Sequence, residues 1–358
     1  MAQKSLWIGG ILLLFSVGTL LPQRAIAQTP PASDQLTELL QQGRQLVTKG
    51  EYGQALTIYQ QAINLDSGNA RLFSAIGFLQ AQQGDFAEAA LAYQKAIALE
   101  NNNADFYYAL GFSLANLGDN PAAATAYRQA IQLNPRKIEA YQGLGVVLSR
   151  HGDVKGALDT YRQIVALQPR NWSAQEAIGV ILLRQGQTAQ AIASLKKAEL
   201  LAPRSGSVQL NLALAWFSQG NVVEGTAALE RAIALEPRNP KINLKMGDWR
   251  LSQNDLQGAL GAYRRAVNAQ PNLLEAQFGL GDVLMATGDY TQAIITYREI
   301  TRLAPQNAQG FYKLGLSLQK RDRNLEATTA LQTALQLYQS QNNQEGINQV
   351  KAALAKFR

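Results

Sequence analysis

From Leu36 onward, small, apolar and polar residues recur with a period of 34 that runs to Gln341 through nine copies, without insertion or deletion. The eighth position of the period is Gly at residues 43, 77, 111, 145, 179, 247, 281 and 315, and Ala213 in the sixth copy. Position 20 is Ala throughout except for Gly225, and position 27 is Ala except for Ile164 and Ile300. Position 24 is aromatic in six copies: Tyr59, Tyr93, Tyr127, Tyr161, Tyr263 and Tyr297. These spacings predict two helices per copy. Small residues at positions 8 and 20 let the helices approach closely, and the tyrosine fills the space they leave. A Gly at position 15 ends the first helix, because the left-handed conformation costs it little. Pro135, Pro169, Pro203, Pro237, Pro271 and Pro305 at position 32 end the second, because proline cannot continue the hydrogen-bond ladder.

Four columns held in phase over nine copies resemble the tetratricopeptide repeat (TPR) family. The resemblance implies an all-α fold: a TPR solenoid, a right-handed superhelix of nine helix–turn–helix repeats. It departs from the family pattern at Gln175, Gln209, Asn243 and Gln277, which replace a large apolar residue at position 4. Asn254 and Asp322 stand where the turn glycine is usual. After the last repeat, Ile347, Val350, Leu354 and Phe357 form one helical stripe, which suits a C-terminal capping helix over residues 342–358.

Ahead of the repeats, Lys4, an apolar stretch from Leu6 to Leu21 and the small-x-small triplet Ala25-Ile26-Ala27 read as a secretory signal over residues 1–27. Residues 28–35 read as a flexible Pro-containing leader, and residues 36–341 as the repeat domain. The expected location is therefore exported, in a periplasm or thylakoid lumen, or tethered to a membrane by an uncleaved anchor. Net charge is +7, of which Lys4 and Arg24 supply two, leaving +5 beyond the signal. That excess supports only mild attraction to anionic surfaces.

Chemistry is sparse. With no Cys, thiolate chemistry and Cys-ligated metal sites are excluded; with a single His, His151, neither a catalytic triad nor a His-rich metal site is expected. His151 falls at position 14, a variable helix C-terminal site where a cationic side chain suits the macrodipole. Gly143-Leu144-Gly145 and Gly279-Leu280-Gly281 lie inside first helices, with no preceding strand and no Lys-Ser/Thr, so a phosphate loop is not expected there. Acidic residues approach from consecutive repeats (Asp105, Glu139 and Glu176; Asp248, Glu275 and Asp282), but helical rise separates Glu275 from Asp282 by about 10 Å. The expectation is no enzyme, no cofactor and no metal.

In the TPR family the first helices line a concave groove. Carried over by position, the resemblance implies a peptide-binding track through Phe78, Tyr108, Phe112, Val146, Val180, Leu210, Leu214, Phe217, Leu244, Phe278 and Tyr312. No repeat carries the Lys and Asn pair of the family's clamp for acidic C-terminal tails. A contiguous apolar track marks an interaction site, so the expected function is a protein-binding scaffold. It would be an assembly or adaptor factor holding an extended or amphipathic-helical client peptide, acting as a monomer without nucleic acid. A structural subunit of an envelope secretion, pilus or polysaccharide-export machine, and a holdase chaperone, are the alternatives. The chain also resembles exported cyanobacterial TPR factors that assist photosystem II assembly. Two basic ladders stand apart from the track: Arg136, Arg170, Arg204 and Arg238 after consecutive prolines, and Arg128, Arg162, Lys196, Arg264 and Arg298 on second helices. They suit either a solvated, salt-bridged face or peripheral contact with an anionic membrane.

Overall fold

The computed structural model describes residues 32–357. The signal over residues 1–27 and the first part of the leader lie outside the described residues. The chain divides into two compact units between Asn102 and Asn103.

The first unit contains α1 (Ala32–Thr48), α2 (Tyr52–Leu65), α3 (Ala70–Gln83) and α4 (Phe86–Leu99). Residues 32–35, which the sequence assigns to the leader, form the first turn of α1. No helix breaker follows Pro31, and Leu36, Leu39 and Leu40 pack on the cluster around Tyr59 and Leu72, so the helix propagates back to Ala32.

The second unit runs through α5 (Ala104–Leu117), α6 (Asn120–Leu133), α7 (Ile138–His151), α8 (Val154–Leu167), α9 (Trp172–Arg184) and α10 (Thr188–Leu201). It continues through α11 (Gly206–Ser218), α12 (Val222–Leu235), α13 (Pro240–Ser252), α14 (Leu256–Ala269), α15 (Leu274–Ala286) and α16 (Tyr290–Leu303). It ends with α17 (Ala308–Gln319), α18 (Asn324–Ser340), α19 (Gln344–Leu354) and a short 3-10 turn. Among the described residues there is no strand. Within each unit every helix packs on the next in sequence, as in a TPR solenoid. No described helix is long and apolar enough to cross a membrane.

The position columns explain the packing. The alanines at position 20, from Ala55 to Ala327, are fully buried, as are the residues at position 27, including Ile164 and Ile300. Any larger side chain there would force the paired helices apart. The turns are set locally as well. Asp119, Asp153, Asp255 and Asp289 cap second helices by accepting from the backbone N–H three residues on, and each such cap stabilises its helix by about 1 kcal/mol. At the turn after α3, the Asp85 N–H returns to the Gln80 carbonyl at 2.9 Å while Gly84 takes φ +90°, satisfying carbonyls that the helix end would otherwise leave open. Asn254 and Asp322 hold the same left-handed conformation at φ 58° and 54°. The backbone of the turn is therefore kept where the glycine is not.

At the C-terminus, α19 rests on α17 and α18. Val350 is fully buried, and Ile347, Leu354 and Phe357 pack against the cluster of Leu331, Ala334 and Tyr338.

Candidate functional site

The first helices of the second unit lie side by side: α5 touches α7, α9 touches α11, α11 touches α13, and α13 touches α15. Between α5 and α7, and between α13 and α15, the approach is set by the tyrosine at position 24. Tyr127 sits between two glycines, its own repeat's Gly111 and Gly143 of the next first helix, and a Cβ at Gly143 would fall 2.6 Å from Cε1 of the ring. Tyr263 is held in the same way between Gly247 and Gly279. The two Gly-Leu-Gly triplets are thus paired seats for successive rings: Gly143 meets Tyr127 and Gly145 meets Tyr161, while Gly279 meets Tyr263 and Gly281 meets Tyr297.

The sixth repeat solves the same packing problem differently. Ala213 and Leu229 replace the Gly and Tyr, both fully or almost fully buried. The space opens instead at Gly225, where the Phe217 ring lies against the bare backbone. That ring also stacks on Trp249, with centroids 4.5 Å apart and planes 20° apart. Phe217 was expected to point into the track. It is half-buried, spanning α12 and α13, and serves packing.

The remaining predicted residues separate into three groups. Phe112 and Val146 are exposed. Tyr108, Val180, Leu210, Leu214, Phe278 and Tyr312 are half-buried on the same row of first helices. Leu244 is a correction: it is buried in the cluster of Tyr263, Ala276 and Leu280 and offers little surface. Phe78, in the first unit, is half-buried against Leu72, Ile76 and Leu79.

Within the second unit the row changes character along its length. Position 9 reads Phe112, Val146, Val180 and Leu214 in four consecutive repeats, then Asp248 and Asp282. Neither carboxylate is free. Asp248 accepts from the Tyr263 hydroxyl at 3.0 Å and from Lys245 Nζ at 2.8 Å. Asp282 Oδ1 accepts from the Tyr297 hydroxyl at 2.5 Å and from Lys313 Nζ at 2.9 Å. Burial first, and then the Asp282 hydrogen bond, push the Tyr297 phenol far above its ordinary value. Lys245 and Lys313 at position 6 were not singled out in the sequence. The signal for Lys245 is Lys at position 6 with Asp248 at position 9 of the same repeat; for Lys313 it is Lys at position 6 one repeat after Asp282.

At the other end, Lys137 pairs with Asp105 at 2.6 Å and lies over the Tyr108 ring, 4.8 Å from its centroid. Burial, with Glu139 and Asp105 nearby, raises the Tyr108 phenol to about 12. Glu176 accepts from Asn211 Nδ2 at 2.9 Å. Of the six acidic residues considered for a cation, Asp105, Glu176, Asp248 and Asp282 are therefore engaged with donors of the chain itself. Among the described residues no three Asp, Glu or His side chains come together. His151 is exposed at the C-terminal end of α7.

Two of the four polar residues at position 4 close the preceding turn. Asn243 donates through Nδ2 to the Pro237 carbonyl at 2.8 Å, and Gln277 through Nε2 to the Pro271 carbonyl at 2.9 Å. The Tyr141 hydroxyl does the same to the Pro135 carbonyl at 3.2 Å. In each case the side chain satisfies the carbonyl of the proline that ended the preceding helix.

Comparison with known proteins gives a consistent picture. Profiles described as tetratricopeptide repeat match residues 108–174, 143–201, 176–240 and 244–308, and others described as TPR repeat match 43–84 and 80–118. A TPR repeat-containing protein of Picosynechococcus sp. is 34% identical over 78 residues, 22% of this chain and 19% of that protein. The chain thus spans about a fifth of the length of that curated relative. Among solved structures, a tetratricopeptide repeat protein from Parabacteroides merdae aligns with TM-score 0.59 at 18% identity, covering 70% of this chain and 99% of that one. The Cut9–Hcn1 hetero-tetramer of the APC/C aligns with TM-score 0.53 at 15% identity, covering 92% of this chain and 78% of the other. At these identities the likeness establishes the fold.

Proposed function

Starting from a chain that belongs to the tetratricopeptide repeat family, whose members are generally non-catalytic protein-interaction scaffolds, we propose that this protein is an adaptor or assembly factor. It holds a client peptide along its first-helix row. The observation that carries the reading is the run Phe112, Val146, Val180 and Leu214, one side chain from each of four consecutive first helices, with the first two exposed.

The spacing specifies the client. Packed helices lie about 8–10 Å apart, so successive anchors recur at about that distance. A polyproline-type strand advances about 3.1 Å per residue and returns to the same face every third residue. Its side chains at i, i+3, i+6 and i+9 would meet the four anchors in turn. One buried anchor contributes about 1.5–3 kcal/mol, whereas association costs about 4–15 kcal/mol. Several anchors must therefore engage together. The Asp248 and Asp282 pairs beyond them limit the apolar track and favour a client whose following residues are polar.

Site-specific photo-crosslinking from Val180 or Leu214, with Arg162 on a second helix as the control, tests this. One dominant peptide captured from the row positions alone supports a dedicated adaptor, and Val180→Asp should abolish it. A smear of unrelated proteins would favour a holdase. Capture from Arg162 alone would defeat the row and favour a structural subunit.

The N-terminal sequence supports export, to a periplasm or lumen; an intact N-terminus on the protein recovered from its native compartment would count against cleavage. Help in photosystem II assembly rests on resemblance alone.

A further inference from the structure

The connecting turns of the third to sixth repeats carry an arginine each, and the row of client-binding residues does not use them. Arg136, Arg170, Arg204 and Arg238 are exposed, each two residues ahead of the next first helix. Because those helices have nearly the same length and pack in register, the four turns fall along one edge, about one helix spacing apart. Among the described residues the four guanidiniums make no hydrogen bond and no ion pair, whereas in the second basic ladder two of five cations are paired, Arg162 with Asp159 and Arg298 with Glu326. Two of the nearby carboxylates are engaged elsewhere. Asp105 is held by Lys137, and Glu236 accepts from the Gly206 N–H and from Asn239.

The same edge is also apolar. Leu133, Leu167 and Leu235 end their second helices exposed, Trp172 is exposed at the start of α9, and Leu200 is 82% exposed. Around Arg170 and Trp172 the turn from Gln168 to Ser173 forms an open depression of about 520 Å³. Exposed leucines end helices in the first unit as well, at Leu65 and Leu99, but the turns that follow lack arginine. The basic ladder is what singles out the third to sixth repeats.

We propose that this edge lies against an anionic lipid surface. Arginines would meet headgroup phosphates, while Leu200, Trp172 and the helix-terminal leucines enter the boundary between headgroups and acyl chains. Charge complementarity alone would equally suit an acidic polysaccharide. The apolar side chains interleaved with the cations favour the bilayer, because a hydrated sugar chain offers them nowhere to go. Each cation near an anionic membrane strengthens binding about fivefold, and salt screens that contribution within a Debye length.

The chain has no cysteine, so a single polarity-sensitive fluorophore can be placed on the full chain at Leu200→Cys, with Val223→Cys, 75% exposed at the other end of its repeat, as the control. Both are mixed with vesicles of phosphatidylcholine alone and of phosphatidylcholine with phosphatidylglycerol. The expected result is a blue shift at position 200 alone, on the anionic vesicles alone. It should weaken as salt rises, and the vesicle concentration needed should increase more than a hundredfold when the four arginines become Gln. Lipid binding through an apolar segment alone would not depend on headgroup charge, so a shift at both sites or on both vesicle types would overturn the proposal. No shift on either vesicle would overturn it, as would a shift with an acidic polysaccharide but not with lipid. If the fourfold variant fails to fold, the salt dependence measured with the four arginines in place decides: a shift at position 200 that salt does not weaken would overturn the proposal.

Discussion

Gly279 lies flat against the Tyr263 ring, so that a Cβ at position 279 would stand 2.6 Å from Cζ of a phenol that is 2% exposed. The ring is also held from behind by Gly247 and cannot retreat. Gly279→Ala should therefore destabilise the protein by about 1–2 kcal/mol, because overpacking costs about 1–3 kcal/mol and the helix-propensity gain returns up to about 1 kcal/mol. Gly261, in the middle of α14, has only Arg265 Nη1 nearby, at 3.6 Å. Gly261→Ala should stabilise by about 0.5–1 kcal/mol. Thermal melts of the two variants should shift in opposite directions, and a shared direction would mean the seat is not tight.

Asp282 takes two donors on one oxygen, the Tyr297 hydroxyl and Lys313 Nζ. The Tyr297 ring is fully buried while Lys313 reaches solvent, so the losses are unequal. Asp282→Ala leaves a buried hydroxyl unsatisfied and should cost about 1–3 kcal/mol. Lys313→Met should cost less than about 1 kcal/mol, the usual ceiling for an exposed pair. Urea denaturation of both variants decides the order.

Alkaline pH should unfold the protein through its tyrosines. Burial raises the phenols of Tyr59, Tyr127, Tyr161, Tyr263, Tyr297 and Tyr338 above their ordinary value of 10.0, and Tyr108 to about 12. Unfolded phenols ionise first, so the stability from keeping them neutral is complete below about pH 10 and falls as pH rises towards 12. Tyrosinate absorbance from these residues should therefore appear together with loss of helical circular dichroism. Full ionisation near pH 10 with helices intact would contradict the packing of the rings.

Asn243 is fully buried, donating to the Pro237 and Asn239 carbonyls and accepting from Arg265 Nε at 2.8 Å. Removing its amide leaves the Pro237 carbonyl without that partner, and Asn243→Ala should cost about 1–3 kcal/mol. Arg265 is exposed and can turn to water, so Arg265→Met should change stability by less than about 0.5 kcal/mol. Similar losses from both would place the main interaction in the arginine instead.

Asp322 holds φ 54° at a turn where most repeats have glycine. A non-glycine residue there costs about 1–3 kcal/mol, least for Asn and Asp. Asp322→Gly should accordingly raise the melting temperature, by an amount equivalent to about 1 kcal/mol. An unchanged or lower value would mean that the carboxylate contributes more than the strain removes.

Period and columns in the sequence determined the fold. Each repeat packs only on its neighbours, so a small residue at one fixed offset and a tyrosine at another are enough to specify a helix pair and its stacking. The same local logic identified Ile347, Val350, Leu354 and Phe357 as one stripe. What the tertiary structure decided lies between repeats and depends on which neighbour a side chain reaches. Leu244 shares its column with Tyr108 and Phe278, yet it is buried in the cluster of Tyr263, Ala276 and Leu280. Phe217 shares its column with Leu183 and Met285, yet it turns onto Gly225 and Trp249 because the sixth repeat exchanged its small residues. Lys313 pairs with Asp282, 31 positions earlier and in the preceding repeat, so the contact crosses a repeat boundary. A repeating sequence encodes the average contact. The surface left for a partner is made by the departures from that average, and those are settled only when the helices are in place.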